Sequence, residues 1–498
     1  MFRINKVFFF LLFILFIGIA LRAQELISHN FLFLLDQGRD MIAVKNIVYD
    51  HHATLIGPST SLRGVFQGPF WYYLLILPTF IFRGDPWGGI VLMFIISLGV
   101  LGVAYFCIKK LFGRNAAIIT LFLFTISPEA IAAATYVWNP HPMWLLIVIY
   151  IFSFYGINRL IKLNLVLWPL IGLMFHFQTA LAVFIFAASI IYLLIFNRKA
   201  ILNRYFLTGI ILFLCTFTPQ ILFEFRHDFL MTKSVLSILW GSEQGLFVKG
   251  ENHGYFELLK SHAISFYEHF GSSFVISGYL KYSQNIFIGI IIFASIFVKK
   301  IKLFSKEEAT FIYALTRLIL IIFLLSFIYP FPIRYWFLTG FQSFYLILLG
   351  LILSKFYMNL WGRIILAVFF ILLIFNSLQR LDLLYFNPPN DGGAEKIKGK
   401  LSAIDYVYED AKGKPFGLLV FTPAVYTDAY DYLIWWHGKR KYDYVPHKEK
   451  KGTFYLLMET DRSKPWSNIG WRETVIKTGN ILETVTLPTG LIIQKRSI

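Results

Sequence analysis

The sequence predicts an all-α polytopic membrane bundle of about eleven transmembrane helices, followed by a small extracytoplasmic α/β domain at the C-terminus. Of its 498 residues, 57% are hydrophobic and only 15% are charged, whereas soluble domains carry roughly 25% charged residues. Apolar runs recur from Val7 to Ser377, many reaching the ~18 residues that cross a bilayer core as a helix. From about Leu381 the chain becomes polar enough to fold in water. The expected division is a membrane module over 1–380, with outer loops 23–86 and 224–284, and a soluble domain over 381–498.

A net charge of +18 could point to nucleic acid. Here the basic residues collect in short loops, where they act as topology signals. They form no patch interleaved with exposed aromatics, so no nucleic-acid partner is expected. Cys107 and Cys215 lie in apolar runs and read as small packing residues, without a disulfide or zinc framework.

The opening FRINK and VFFFLLFILFIGIAL have the layout of a signal peptide, with Gly18 and Ala20 near a cleavage position. The many later spans favour a retained helix, and Arg3 and Lys6 keep its start in the cytoplasm. The loop from Arg22 to about Asp85 is then outside. It holds an amphipathic part from Phe31 to Val48 and the punctuated LIGPSTSLRG. GPFWYYLLILPTFIF is apolar but short and contains Pro78. It predicts a helix at the outer interface, with Trp71, Tyr72 and Tyr73 at headgroup depth.

With that run left on the outer side, every short-loop basic cluster falls inside: KKLFGR, Asn158 to Lys162, NRKAILNR, KKIKLFSKEE, and Lys355 with Arg363. The spans from about Ala116 to Ala134 and from Tyr205 to Phe223 lead outward, the first to TYVWNPHP. Leu165 to Phe175 and Thr179 to Phe196 form a hairpin with HFQ at its outer tip, and Thr310 to Tyr329 leads to PFPIRY. In the tail, AEKIKGKLSAIDYVYEDAKG has helical spacing. FGLLVFTP, TFYLLMET and LIIQKRS read as strands, and YTDAYDYLIWWHGK as an aromatic helix.

The stretch LLDQGRDMIAVKNI carries Asp36 and Asp40 at i, i+4, on one face of a helix at the membrane edge. One of them can act as a general base toward an incoming hydroxyl. The plainer alternative is a pair of loop acids partnered by Arg39 and Lys45. Lys45, Arg63, Arg334 and His176 are the candidate ligands for an anionic lipid phosphate. The plain reading of Arg334 is a snorkelling helix-end residue, and that of His176 a satisfied packing histidine. Trp71, Tyr72, Trp138, Asn139, His141, Gln178 and Tyr335 are candidates for a sugar and acceptor cavity. The prolines of WNPHP are by default structural punctuation. His51 and His52 with Asp50 resemble metal ligands only superficially, because adjacent loop histidines are usually plain polar loop and no matching further ligand is identifiable. Neither GxxxxGK[ST] nor GxGxxG occurs, so no nucleotide cofactor is expected. A lipid-borne activated donor fits better, and the sequence is silent on a divalent metal.

An acid-bearing outer loop, GPFWYY, a span ending KKLFG, SPEAIAAATYVWNPHP, HFQTAL and a late RYWFL occur in that order. This pattern resembles the GT-C membrane glycosyltransferases, in particular glycosyltransferase family 39, which includes protein mannosyltransferases and aminoarabinose transferases. The resemblance covers about Arg3 to Leu353. It implies a GT-C bundle in the plasma (inner) membrane that transfers a sugar, with inversion, from a polyprenyl-phosphate donor to a glycan, lipid or protein acceptor on the outer face. Asp36 matches the first acid of the family's Asp-Glu pair, and Gln37 stands where the second acid would be. The late motif matches Arg334 and Tyr335, placing them near the lipid phosphate. The rival classes are a lipid-linked saccharide flippase, for which few charges lie deep in the spans, and a non-catalytic membrane subunit.

Overall fold

In hydrocarbon, backbone N–H and C=O groups must be satisfied within their own segment, so the apolar runs become helices. The structure is a computed structural model describing residues 6–239, 255–273, 283–298, 303–357, 360–385, 393–461 and 463–498. Arg3, Lys299, Lys300 and Lys302, with 240–254 and 274–282 of the expected outer loop, lie outside the described residues. The first helices are α1 (Lys6–Ser28), α2 (Leu35–Val48), α3 (Phe70–Ile81), α4 (Trp87–Phe112), α5 (Arg114–Ile126) and α6 (Pro128–Thr135). Next come α7 (Met143–Gly156), α8 (Asn164–Met174), α9 (Thr179–Phe196), α10 (Arg204–Thr216), α11 (Thr218–Arg226), α12 (Leu230–Leu239) and α13 (Tyr255–Ser272). Then follow α14 (Ser283–Phe297), α15 (Lys306–Ser326), α16 (Gln342–Phe356) and α17 (Leu360–Tyr385).

Among the described residues, 4 helices are long and apolar enough to cross a membrane, or up to 6 if each bent pair forms one span. The other apolar helices are shorter. The bent pairs correct the expectation of straight spans over 116–134 and 205–223. α5 and α6 meet at 60°, and α10 and α11 at 49°. Each break precedes a proline, Pro128 or Pro219. Proline has no N–H to continue the ladder and disfavours helix in the residue before it.

The first break explains a buried charge. Pro128 leaves the Phe124 carbonyl without its i+4 donor. The Arg22 guanidinium donates to that carbonyl and to the Thr125 carbonyl beside it, at 2.8 Å each. It also donates to Gly18 O at 3.1 Å and Ser97 Oγ at 2.9 Å. Arg22 therefore lies inside α1 at 1% exposure, not at the start of a solvated loop as expected. A guanidinium is tolerated there because fixed acceptors replace water.

The C-terminal part contains α18 (Ile397–Ala411), β1 (Gly417–Phe421), α19 (Asp428–Leu433), α20 (Lys439–Tyr442), β2 (Thr453–Met458), α21 (Ser467–Trp471), β3 (Asn480–Thr486) and β4 (Ile492–Ser497). The sheet order is β1-β2-β4-β3. β1 and β2 are parallel, and β4 pairs antiparallel with both β2 and β3. A parallel pair needs a crossover. The aromatic segment supplies it, as α19, a π turn over Ile434–Gly438, and α20. β3 was not expected: it is an edge strand with mostly exposed residues, so no apolar alternation marks it. Phe421, Phe454, Leu456, Met458 and Ile476 form the core against the sheet.

The chain divides into two compact units. The first comprises Met1–Ala23, Thr54–Leu74 and Leu92–Leu381; the second comprises Gln24–Ala53, Leu75–Val91 and Asp382–Ile498. The acid-bearing α2 thus belongs to the same unit as the C-terminal sheet.

Candidate active site

In the second unit the site is built on α2. Its N-terminus is closed by Gln37, whose Oε1 accepts the Leu34 N–H at 2.8 Å. This gives a physical role to the residue standing where the family pattern has an acid. Asp36 sits in the first turn, where the helix dipole favours a carboxylate. Arg39 bridges the two acids. Its Nη1 is 2.8 Å from Asp36, while its Nη2 and Nε reach Asp40 Oδ1 at 2.7 and 2.9 Å. The acids differ in access: the Asp36 side chain is 35% exposed and that of Asp40 is 2% exposed. Asp40 is therefore an internal partner of Arg39, and Asp36 keeps an open face.

Lys45 is engaged elsewhere. It pairs with Asp50 at 2.7 Å and lies 5.3 Å over the Trp435 ring. The Lys45 hydrogen bond, together with its charge, holds the Asp50 carboxyl below the usual carboxylate range. His51 and His52 are exposed, and among the described residues no group of three or more His, Cys, Asp or Glu could hold a metal ion.

In the first unit the motifs singled out in the sequence converge on one buried polar belt. Asn139 of WNPHP donates to Gln67 Oε1 at 2.9 Å and to Phe177 O, within HFQ, at 2.8 Å. Gln178 donates to Trp336 O of RYWFL at 2.7 Å. His176 accepts the Phe70 N–H at Nδ1, 3.3 Å, so its Nε2 is the donor to Thr216 O at 3.0 Å. Both ring nitrogens are occupied, leaving His176 no donor for a phosphate. Burial depresses its pKa, with the Thr216 bond opposing. Its ring fits only because residue 68 is glycine: a Cβ there would lie 2.0 Å from Nδ1.

His141 Nδ1 donates to Tyr136 O at 2.7 Å. Burial pushes its pKa down to about 4 against the opposing effect of that bond, so the ring is neutral. Trp138 packs edge-on against it, with centroids 5.5 Å apart. Trp71 and Tyr72 are buried, Trp71 against the edge of Phe177. The outward residues of α3 are instead Phe70, Leu77, Phe80 and Ile81. Arg63, Arg334 and Tyr335 are exposed, and no described carboxylate pairs with either arginine. Gln67, Gly68 and Arg22 were missed. The QGP preceding the aromatic run was the available signal for the first two.

The profile of the family described as dolichyl-phosphate-mannose-protein mannosyltransferase matches residues 67–223, from Gln67 through WNPHP and HFQ to α11. An oligosaccharyltransferase from Archaeoglobus fulgidus, solved with zinc and sulfate, shares the fold with a TM-score of 0.52 at 15% identity, over 97% of this chain and 72% of that one. The family match spans less than half of the chain, and the likeness to the solved structure is one of fold alone. ArnT from Cupriavidus metallidurans, bound to undecaprenyl phosphate, aligns with this chain at 12% identity over 98% of this chain and 97% of that one, with a TM-score of 0.49. No curated protein matches in sequence.

Proposed function

We propose that this protein is an inverting glycosyltransferase of the GT-C type that moves a sugar from a polyprenyl-phosphate donor to an acceptor hydroxyl, with Asp36 as general base. The observation that carries the reading is the asymmetry on α2: Asp36 is open, while Asp40 is buried on Arg39. The acceptor O–H gives its proton to the Asp36 carboxylate as its oxygen attacks the anomeric carbon. The bond from that carbon to the phosphate oxygen breaks on the opposite face, and polyprenyl phosphate leaves with the electron pair. Arg334 and Arg63 are the cations left to hold that phosphate, since Lys45 and His176 have other partners. Tyr335, at 68% exposure, and Trp138 are the aromatic candidates for the sugar face. The family description, which names a dolichyl-phosphate-mannose donor, favours this donor class.

The loop charges favour about eleven crossings in the inner membrane, with α2 and residues 381–498 on the outer face. The test is transfer from a labelled lipid-linked sugar by the purified Asp36→Asn protein. A loss of about 10²–10⁴-fold in turnover is expected for removal of a general base. Wild-type turnover would remove Asp36 from the mechanism.

A further inference from the structure

We propose that the C-terminal domain is a positioning part of the reaction site, with α19 seating the acid helix α2 through Gly38 and so setting the aim of Asp36. This rests on the reading of Asp36 as the base.

The contact is backbone against backbone. A Cβ on Gly38 would lie 2.2 Å from Ala429 N, 2.4 Å from Ala429 Cα and 2.5 Å from Asp428 C. No side chain enters that gap unless the two helices part. Glycine inside a helix is less favourable than alanine by about 1 kcal/mol, so this position gives up helix propensity, and the approach of α19 supplies the reason. Gly38 is two residues from Asp36 and adjoins Arg39, which pairs with it.

The rest of the segment is tied to the same domain. Before α2, Phe33 N–H donates to Glu395 O at 3.0 Å, and Ile397 N–H donates to Phe31 O at 2.9 Å. At its far end, Trp435 receives the Lys45 ammonium at 5.3 Å and meets the Tyr49 ring at 5.2 Å. Tyr432 Oη donates to Gly84 O at 2.6 Å.

α19 itself is anchored from within. Tyr430 Oη and Lys400 Nζ both donate to Glu459 Oε1, at 2.8 and 2.6 Å, and the ammonium lies 4.3 Å over the Tyr430 ring. α2 has 14 residues, and isolated helices of fewer than about 12–15 residues are marginal in water. Its direction is therefore set by docking, and a carboxylate two residues from the docking point follows any shift of that contact.

The experiment uses full-length protein and a labelled polyprenyl-phosphate sugar, with hydrogen exchange of the α2 amides as an independent readout of docking. Gly38→Ala is expected to lower kcat by about 100-fold, the effect of a misplacement of about 1 Å, with the donor KM within about threefold and faster exchange in α2. Trp435→Leu leaves the Gly38 contact and is expected to lower kcat by about three- to tenfold, again with KM kept. It decides the question if Gly38→Ala does not fold. Wild-type kcat in the folded variant, with Asp36→Asn inactive, overturns the positioning role alone. An active Asp36→Asn overturns the reading beneath it.

Discussion

The two units hold polar residues in opposite ways. In the first, Gln67, Asn139, His176 and Gln178 are buried, and their partners lie within the protein. In the second, α2 ties one acid down and leaves the other open. A buried polar group without a partner costs about 1–3 kcal/mol, so the belt residues are committed to stability. Only a group with an open face is ready to exchange a proton with a substrate. Motif residues thus fall into fasteners and reagents, and hydrogen-bond partners distinguish them where residue type does not.

The sharpest break between the two kinds is catalytic. Asp36→Asn should reduce turnover by about 10²–10⁴-fold and cost the detergent-solubilised protein no more than about 1 kcal/mol of stability through its part-exposed pair with Arg39. Equal losses in both would erase the distinction. Arg22→Met should do the reverse. Orphaning the Phe124 and Thr125 carbonyls and Ser97 is expected to cost about 3–5 kcal/mol of stability, seen as a lower unfolding midpoint, with the activity of the folded fraction retained. Asn139→Leu, which strands Gln67 Oε1 and Phe177 O, should cost about 2–4 kcal/mol in the same assay.

A pH titration sharpens the contrast further. The folded pKa of His141 is about 4, whereas an unfolded histidine titrates near 6.5. Between these values only the unfolded state takes up the proton, so stability is fully present above about pH 6.5 and falls as pH drops toward 4, by up to about 3 kcal/mol. His141→Gln should flatten unfolding midpoints across that window; an unchanged slope would assign it to another group. The smallest expected effect is at Lys45. Lys45→Met should cost about 1 kcal/mol through its ion pair and ring contact, with turnover within about threefold of wild type.

Much of the fold was legible. Three of the four strands, the aromatic crossover helix and α18 followed from periodicity, and the short apolar run became α3, too short to span. The dipeptides Ser127-Pro128 and Thr218-Pro219 already marked the two bends, although hydropathy carried both spans straight through them. β3 was hidden because an exposed edge strand has no buried face to pattern. In the candidate site, the motifs and their order were visible, but their partners were not.

The sequence by itself determined that this is a helical membrane chain with a more polar α/β tail, and that an acid pair follows its first helix. Hydrophobic length and charge are sums over neighbouring residues, so they can be read along the chain. Only the tertiary structure decided that Arg22 is a buried clamp, that Asn139 is held by Gln67, and that Gly38 meets Ala429. Those contacts join residues 102, 72 and 391 positions apart, and whether a polar group is closed or open depends on what reaches it across that separation.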